Sequence, residues 1–489
     1  MEACRNTSDT FPNRPRCQSR ATAADRFRGR AVTVMGLGLF GGGVGAARYL
    51  VGKGARVTVT DLKDDKTLAP SVKALEGLPI TFHLGGHLAK DFTQADAVVV
   101  NPAVDKKKSE FVHMAAAAGA EITSEMNLFV EACPVPVLGV TGSSGKSTTT
   151  ALVGEMLRRS RPSRVGGNIG KSLLEELGEI DPKEWVVLEL SSFQLEDLAA
   201  LCWSPRVAVT TNLSPNHIDR HGSMEAYVEA KRTLVRFQSP GDSAVLNADD
   251  EMLRAWGADA QARGSSVVWY SGSRPLAEGV FAEGQEIVFR VGPKEERLDL
   301  AGRIRLLGRH NLANIAAAAA AARLMDVPVE TIGEVVTDFR ALHHRLEPVA
   351  RLGDVLFVND SKATTPLAAR ASMAAFDGPV VLIAGGRDKG MDMTPMIDAI
   401  RRRARAAVFV GEMAEALALA IGSGGPHVER AAGIPDAVNL AARLAQPGDV
   451  VLLAPGYTSW DMFDNYERRG EAFRDAALRL GAKPLESRP

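Results

Sequence analysis

A glycine-rich loop between a predicted strand and a predicted helix constrains the fold of this chain more than any other feature. The sequence TGSSGKST at residues 141–148 follows an apolar run at 135–140 and precedes a helical pattern that extends to about Arg159. In such a unit the loop N–H groups and the helix N-terminus bind anionic oxygens, the lysine adds positive charge, and the hydroxyl reaches a phosphate-bound Mg²⁺. The stretch therefore predicts an α/β domain that binds a nucleoside triphosphate, with Val140 where the common eight-residue pattern has its first glycine.

The length, charge and cysteine content of the chain limit its class. At 489 residues it is long enough for about three domains, and its 45% hydrophobic and 24% charged residues are typical of a globular protein. A net charge of −1 argues against a general nucleic-acid binder, and no apolar run approaches the length of a membrane span. We expect a cytoplasmic protein, since neither metal-site spacing nor disulfide density is found among Cys4, Cys17, Cys133 and Cys202.

The N-terminal segment differs in composition from the rest of the chain. Residues 1–28 are polar and arginine-rich, contain Pro12 and Pro15, and lack the apolar core of a secretory signal. We expect a disordered extension there, or the product of a start codon assigned too early.

The pattern of strands and helices in residues 29–489 predicts three α/β domains. The first, at 29–131, starts with a strand, the sequence GLGLFG at 36–41, a helix, and a second strand ending at Asp61, which is the Rossmann fingerprint. Alone it indicates NAD, but the same backbone geometry suits any nucleotide or diphosphate, and no hydride-transfer site follows. The second, at 132–340, is a central P-loop ATPase-like domain with a mostly parallel sheet. The third, at 341–489, is again Rossmann-like.

Chemically reactive side chains follow two further predicted strands of the central domain. The apolar run at 185–188 ends at Glu189, and the run at 207–211 leads into a loop that contains Asn212, Asn216 and His217. Ligands of open α/β sheets gather at the carboxyl ends of the strands, so these loops and the phosphate loop are predicted to converge. Each residue alone could be a helix cap or a turn residue, but three such strand ends in series favour a site.

Lys231 lies at an unexpected position in a predicted helix at 223–237. It falls in the middle of an apolar stripe formed by Met224, Tyr227, Val228, Leu234 and Val235. One interpretation is a lysine whose ammonium extends to the edge of the core. The other is a desolvated lysine that loses its proton easily and can be chemically modified.

The third domain repeats the pattern of a strand followed by a polar loop. Apolar runs at 355–358, 380–384 and 450–454 lead into NDSKATTP at 359–366, GGRDKG at 385–390 and PGYTSWD at 455–461. Basic and hydroxyl groups at three strand ends predict a pocket for a small molecule that carries carboxylates. The alternative is a set of solvated loop charges.

Taken together, these motifs resemble those of the muramyl ligases of peptidoglycan synthesis. The resemblance runs from about residue 32 to about residue 481 and also includes ELSSFQLE at 189–196, SPNHIDRH at 214–221, GRHNLAN at 308–314, HRLE at 344–347 and TSWDMFDNYERRGEAF at 458–473. ELSSFQLE and NDSKAT resemble most closely the members that add D-glutamate to UDP-N-acetylmuramoyl-L-alanine. The resemblance implies an enzyme that uses ATP to form an amide through an acyl phosphate, and it implies that the first domain binds the uridine diphosphate of the substrate rather than NAD. We expect a monomer.

The resemblance also implies a role for individual residues. The residues implied for ATP are Gly142, Ser143, Ser144, Gly145, Lys146, Ser147, Thr148, Asn311, Arg345 and Asp360. Those implied for the UDP-substrate are Gly38, Leu39, Phe40, Asp61, Asn168, Ser191 and Gln194, and those for the acceptor are Lys362, Thr364, Lys389, Ser459 and Tyr466. Two Mg²⁺ ions are implied, with ligands from Ser147, Glu189, His217 and a CO₂-derived carbamate on Lys231. The implied catalytic residues are Lys146, Glu189, His217 and Lys231.

Four stretches depart from the family pattern, and two of these departures bear most directly on the alternatives that stay open. Asn216 stands where many members have aspartate, and Trp460 places an indole beside the implied acceptor pocket. A ligase with L-glutamate or L-alanine as acceptor, or a nucleotide sensor without catalysis, remains possible on the sequence. The sequence DSKA at 360–363 favours glutamate over other acceptors, and the intact set of implied catalytic residues argues against a sensor.

Overall fold

Alternating strands and helices build the α/β fold that the sequence predicts. The computed structural model describes residues 26–485 except Phe40, Lys171, Pro293 and Arg309. Phe40 and almost all of the predicted extension at 1–28 therefore lie outside the described residues. The chain divides into two compact units, one formed by 1–281, 289–296 and 316–332 and the other by 282–288, 297–315 and 333–489. Among the described residues, no helix is long and apolar enough to cross a membrane.

The first sheet has the strand order of a doubly wound nucleotide-binding fold. Its order is β3-β2-β1-β4-β5, and all four neighbouring pairs are parallel. The direction of winding changes beside β1, where the glycine sequence at 36–41 begins. The strands are β1 (Ala31–Met35), β2 (Arg56–Asp61), β3 (Ile80–Leu84), β4 (Ala97–Val100) and β5 (Glu121–Thr123). The helices are α1 (Gly42–Gly52), α2 (Asp65–Lys73), α3 (Ala89–Thr93), α4 (Glu110–Ala117) and α5 (Glu125–Ala132).

The second sheet carries the phosphate loop at the end of an inner strand, β6, the third from the β7 edge. Its order is β14-β13-β12-β11-β10-β9-β6-β8-β7, and β6 is parallel to both of its neighbours. The strands are β6 (Val137–Thr141), β7 (Ser163–Gly167), β8 (Trp185–Glu189), β9 (Val207–Thr210), β10 (Ser243–Asn247), β11 (Ser266–Ser271), β12 (Gly279–Glu283), β13 (Glu286–Arg290) and β14 (Glu295–Asp299). The helices are α6 (Lys146–Arg158), a 3₁₀ helix (Leu173–Glu179), α7 (Ser192–Ala199), α8 (Ile218–His221), α9 (Met224–Arg236), α10 (Glu251–Ala262), α11 (His310–Leu324) and α12 (Val329–Asp338).

The third sheet has the order β19-β18-β17-β20-β16-β15-β21. The pairs of β15 are antiparallel, and the other neighbouring pairs are parallel. Its strands are β15 (Glu347–Leu352), β16 (Val355–Asn359), β17 (Val380–Gly385), β18 (Ala404–Val410), β19 (His427–Arg430), β20 (Val450–Gly456) and β21 (Lys483–Pro484). The helices are α13 (Pro366–Met373), α14 (Thr394–Arg403), α15 (Ala414–Ile421), α16 (Ile434–Leu444) and α17 (Tyr466–Arg479).

One hydrophobic cluster is shared by the first two sheets. It includes Val32 of β1, Leu50 of α1 and Leu128 of α5 together with Val186 and Leu188 of β8, all of which are almost fully buried. Burial of this size is the main favourable contribution to folding. The two sheets therefore form one packed body in which their loops hold defined positions.

The alanine-rich helix α11 supplies a test of close packing in the core. Its residues 316–322 are at most 1% exposed, as expected for a helix that is apolar on every face. We expect Ala318→Leu to lower the free energy of unfolding by about 1–3 kcal/mol, because a close-packed core has no room for the larger side chain. The measurement is urea unfolding, with Ala116→Leu on the exposed side of α4 as the control. Equal effects of the two substitutions would contradict the close packing of α11.

Candidate functional site

Two glycines give the phosphate loop a shape that other residues could not adopt. Gly142 has φ of +145°, and a Cβ atom there would lie 1.8 Å from Thr211 Oγ1. Gly145 has φ of +82° and immediately precedes α6. Left-handed backbone and close approach both favour glycine, so the loop turns sharply from β6 into the helix N-terminus.

The loop after β9 holds the phosphate loop in place. The N–H of Ser143 donates to Asn212 O (2.8 Å), and the N–H of Ser144 donates to Asn212 Oδ1 (3.1 Å). In return, Thr211 Oγ1 and Asn212 Nδ2 donate to Ser144 O at 2.6 and 3.0 Å. These bonds hold the backbone of the loop in a shape that suits an anion. The sequence predicts that the two strand ends meet but does not reveal this bracing.

A hydroxyl and a carboxylate meet at the start of α6. Ser147 Oγ donates to Glu189 Oε2 at 2.5 Å, and Asn168 Nδ2 donates to Glu189 Oε1 at 3.1 Å. Glu189 is 1% exposed and ends β8, whose register places it beside Val140 of β6. Hydroxyl and carboxylate oxygens are the ligands that Mg²⁺ prefers, and this pair lies directly beside the phosphate loop.

The Lys146 ammonium is held within the same loop. Its Nζ donates to the carbonyl oxygens of Gly142 (3.0 Å) and Ser143 (3.1 Å). These bonds curl the side chain back over the loop, so its positive charge lies where the loop would receive an anion.

Lys231 is buried in the core beneath this loop. The helix α9 is capped by Ser223, whose Oγ accepts the Ala226 N–H at 3.2 Å, and Lys231 is only 1% exposed. Its Nζ donates to Thr141 Oγ1 at 3.2 Å and lies 4.9 Å from the centroid of the Tyr227 ring. The ammonium therefore does not extend to solvent, and the first of the two interpretations of this lysine is wrong.

The surroundings of Lys231 favour its neutral form. Burial is the largest cause that holds its pKa well below the usual value, and the Lys146 charge lowers the pKa further, whereas the Glu189 carboxylate raises it. A buried amine that loses its proton readily is also a better nucleophile than an exposed ammonium.

His217 lies in an aromatic group beside the site. It has φ of +54° and caps α8, and its ring lies 5.2 Å from that of Phe193 in an edge contact. The Arg220 guanidinium lies 4.6 Å from the centroid of the Phe193 ring, and the His221 ring stacks on the Phe193 ring at 5.0 Å. No group of three or more His, Cys, Asp or Glu side chains that could hold a metal occurs among the described residues. The four implied metal ligands therefore do not lie in a cluster of three or more such side chains.

The first domain uses its acidic residue to hold the glycine turn. Asp61 Oδ2 accepts the Gly38 N–H at 3.0 Å, and its Oδ1 accepts the Lys63 N–H at 2.9 Å. A Cβ at Gly36 would lie 2.8 Å from Asn101 Cβ, and Leu39 is exposed. Asp61 therefore supports the loop that an incoming diphosphate would approach, while the exposed Leu39 side chain can meet a ligand.

Ser191 and Gln194 form the capping box of α7. Ser191 N and Oγ both donate to Gln194 Oε1 at 2.9 Å, and Gln194 N donates to Ser191 Oγ at 3.3 Å. These two residues stabilise the helix N-terminus next to Glu189, so at least part of their role is structural. The S-x-x-Q spacing is itself a capping signal in the sequence, and it indicates this structural role without reference to the family motif.

Three of the residues implied for ATP, Asn311, Arg345 and Asp360, lie among polar groups. Asp360 Oδ2 accepts a bond from Ser372 Oγ at 2.5 Å; burial raises the Asp360 pKa, while Ser372 and the Arg345 charge oppose that rise. Asn311 Nδ2 donates to Leu307 O at 2.7 Å, and its Oδ1 accepts a bond from Asn314 at 2.8 Å.

The implied acceptor residues fall into two contact groups in the third sheet's loops. The Lys362 ammonium lies 5.0 Å from the Tyr466 ring centroid, and the Lys389 ammonium lies 4.4 Å from that of Trp460. Ser459 is 2% exposed, and Thr364 N donates to Lys362 O at 2.9 Å.

A buried arginine that has no role assigned from the sequence connects these loops. Arg469 is fully buried and donates to Ser361 Oγ (3.1 Å), Ser361 O (2.9 Å) and Tyr457 O (3.1 Å). Its partners are 12 and 108 residues away, so no local signal in the sequence indicates the contact.

Comparison with known protein families finds matches along most of the chain. Residues 30–124 match the Mur ligase MurD-like N-terminal domain, residues 140–322 the Mur ligase middle domain, and residues 344–456 the Mur ligase glutamate ligase domain. A UDP-N-acetylmuramoylalanine–D-glutamate ligase from Roseiflexus sp. (strain RS-1) is 45% identical over 92% of this chain and 98% of its own length. The chain belongs to the Mur ligase family. The resemblance drawn from the motifs is confirmed.

Other similar Mur ligases extend the comparison. The enzyme of the same name from Symbiobacterium thermophilum is 40% identical over 90% of this chain and 96% of its own length. Among solved structures, the UDP-N-acetylmuramate-alanine ligase MurC from Thermotoga maritima has a TM-score of 0.60 at 19% identity and covers 92% of this chain and 100% of its own. At that identity the structural likeness concerns the fold, and it agrees with the α/β architecture described above.

Proposed function

We propose that this Mur ligase joins D-glutamate to UDP-N-acetylmuramoylalanine with conversion of ATP to ADP and phosphate, in the cytoplasmic synthesis of peptidoglycan precursors. The observation that carries the proposal is the contact between Ser147 and Glu189 beside the braced phosphate loop, with buried Lys231 beneath it. It is supported by relatives named UDP-N-acetylmuramoylalanine–D-glutamate ligase that are 38–45% identical over 90–93% of this chain.

The proposed reaction has two steps. A carboxylate oxygen of the muramoyl-alanine substrate attacks the γ-phosphorus of ATP, and the bond to the leaving ADP breaks to give an acyl phosphate. The amine nitrogen of glutamate then attacks the acyl carbon, phosphate leaves, and the nitrogen loses a proton to form the amide. Because the first step brings two anions together, charge neutralisation dominates the barrier. We assign this role to Lys146, whose ammonium already lies over the loop.

The residues at the phosphate loop fit a Mg²⁺ ion. Ser147 and Glu189 would hold it, since a hydroxyl and a carboxylate already touch there. The ion would supply positive charge for the phosphate oxygens of ATP.

We assign a second metal position to His217 and to a carbamate on Lys231. Hard cations need anionic oxygen ligands, and Asn216 is a neutral amide where many family members have aspartate. Carbamylation would add CO₂ to the Lys231 nitrogen with loss of one proton, which converts the buried amine into a carboxylate. A role as a carbamate would explain why a lysine occupies this buried position beside Thr141.

The remaining roles follow the three sheets. We propose that the domain at 29–131 binds the uridine diphosphate through Gly38, Leu39 and Asp61, and that the domain at 132–340 binds the muramoyl part near Asn168, Ser191 and Gln194. The domain at 341–489 would bind adenosine near Arg345 and Asp360, with Asn311 from the preceding domain. It would bind glutamate through Lys362, Thr364, Lys389, Ser459 and Tyr466. We propose that the chain acts as a monomer.

Loss of the phosphate-loop lysine tests the ATP site. We expect Lys146→Ala to lower phosphate release by about 100-fold or more while the fold is kept, because removal of one transition-state donor has an effect of this size. Phosphate release with UDP-N-acetylmuramoyl-L-alanine and D-glutamate is measured, and circular dichroism checks the fold. Lys183→Ala, at an exposed position, is the control. Activity within about tenfold of wild type, about 1.4 kcal/mol of barrier, would contradict the assignment.

The carbamate is tested separately. We expect Lys231→Ala to be nearly inactive and to regain part of its activity with formate or acetate, which can occupy the vacated carboxylate position. A carbamate signal from ¹³CO₂ should appear in the NMR spectrum of the wild type and be lost in the variant. The control is Arg236→Ala at an exposed position on the same helix. Full activity of Lys231→Ala without added carboxylate would refute the carbamate.

The acceptor is tested with amino acids. Two ammonium groups and several hydroxyls suit the two carboxylates of glutamate and are too polar for the methyl group of alanine. We expect faster phosphate release with D-glutamate than with L-glutamate at equal concentration, and background rates with L-alanine. A preference for L-glutamate would overturn the assigned stereochemistry, and no activity with either enantiomer would overturn the acceptor pocket.

A further inference from the structure

We propose that Trp460 is a positioning residue for the amino-acid acceptor: its indole face holds the Lys389 ammonium where that group binds an acceptor carboxylate. The inference rests on the proposed function and adds a residue at which this chain departs from the common family pattern.

The two loops that carry this pair are fixed to each other. Arg387, after β17, and Thr458, after β20, form an isolated antiparallel bridge in which Arg387 N donates to Thr458 O (3.0 Å) and Thr458 N donates to Arg387 O (3.2 Å). Thr458 Oγ1 adds a third bond to Arg387 O at 2.9 Å. A Cβ at Gly386 would lie 2.1 Å from Thr458 O, so the backbones pack as closely as glycine allows. Lys389 and Trp460 each follow this bridge by two residues.

The ammonium of Lys389 rests on an exposed indole rather than on a carboxylate. Its Nζ lies 4.4 Å from the Trp460 ring centroid, and Trp460 is 56% exposed. In the described part of the chain no carboxylate forms an ion pair with Lys389, whereas the neighbouring Arg387 pairs with Glu412 at 2.6 Å. The Lys389 charge is therefore not neutralised by an acid of its own loop.

The two carboxylates next to this pair in the sequence bind backbone groups. Asp388 Oδ1 accepts the N–H groups of Lys389 (2.8 Å) and Met391 (3.2 Å). Asp461 Oδ2 accepts the N–H of Glu412 at 3.0 Å. Both acids are thus directed to the backbone of the loops, and an incoming carboxylate would meet the Lys389 ammonium on its indole face.

A cation–π contact suits this task because it leaves the hydrogen-bond donors of the ammonium unused. Tryptophan offers the best aromatic face for a cation, and a lysine side chain otherwise loses much rotational freedom when it binds a ligand. Holding the side chain before the acceptor arrives reduces that loss. Phenylalanine would keep part of the effect, and leucine would remove it.

The test is a double-mutant cycle on Trp460 and Lys389. We expect Trp460→Leu to raise the KM for D-glutamate about two- to fivefold, the range of an exposed cation–π contact, with kcat and the KM for ATP unchanged. Trp460→Phe should have a smaller effect. In the Lys389→Ala background, Trp460→Leu should have no further effect on the KM for D-glutamate, because the indole acts through the ammonium. Glu412→Gln, on the adjacent ion pair, is the control.

A second readout is independent of turnover. With UDP-N-acetylmuramoyl-L-alanine and a non-hydrolysable ATP analogue present, D-glutamate should change the tryptophan fluorescence of the wild type but not that of Trp460→Phe. Equal effects of Trp460→Leu with and without Lys389, or an effect on the KM for ATP alone, would overturn the positioning role. A wild type that uses no glutamate would instead overturn the proposed function, so the two failures are distinguishable.

Discussion

The parallel pairing of β6 with β8 and β9 determines where the candidate ligand-binding groups of the central sheet lie. Its register places Val140 beside Glu189 and Thr141 beside Thr210, so three strands end at one edge. The shared edge brings Ser147 Oγ to the almost fully buried Glu189 carboxylate, which a hydrogen bond satisfies. It also places Thr211 and Asn212 beside the phosphate loop, whose backbone they brace.

The buried lysine beneath this edge conflicts with the rules that shape the rest of the core. A purely structural core would place an apolar residue in the stripe of α9, because burial of an ammonium next to a hydroxyl is unfavourable. The fold accepts this local conflict at Lys231, and the Lys146 charge increases it. Such violations of local consistency are expected at functional sites, which explains why a lysine inside an apolar stripe is informative at the level of the sequence alone.

The sequence could predict those parts of the site that depend on residues close together in the chain. The α/β fold, the phosphate loop and the strand-end residues follow from local periodicity and turn chemistry, and the family motifs extended these to the third sheet. The bracing by Asn212 and the binding of Gly38 by Asp61 depend on which loops become neighbours, so local patterns could not reveal them. The capping box of Ser191 and Gln194 is different, since its spacing is readable from the sequence.

A buried arginine, Arg469, adds positive charge to the loops that carry Lys362 and Lys389. Burial lowers the pKa of Arg469 to about 10, the Asp461 charge opposes that change, and the guanidinium remains charged at neutral pH. Its three bonds go from each guanidinium nitrogen to a carbonyl or hydroxyl oxygen, and these acceptors carry no formal negative charge. The loops with Lys362 and Lys389 therefore surround a buried positive charge. For an acceptor bound at these loops, as proposed, two carboxylates would balance such a field better than one, and glutamate would gain an electrostatic advantage over alanine that is independent of any contact with its side chain.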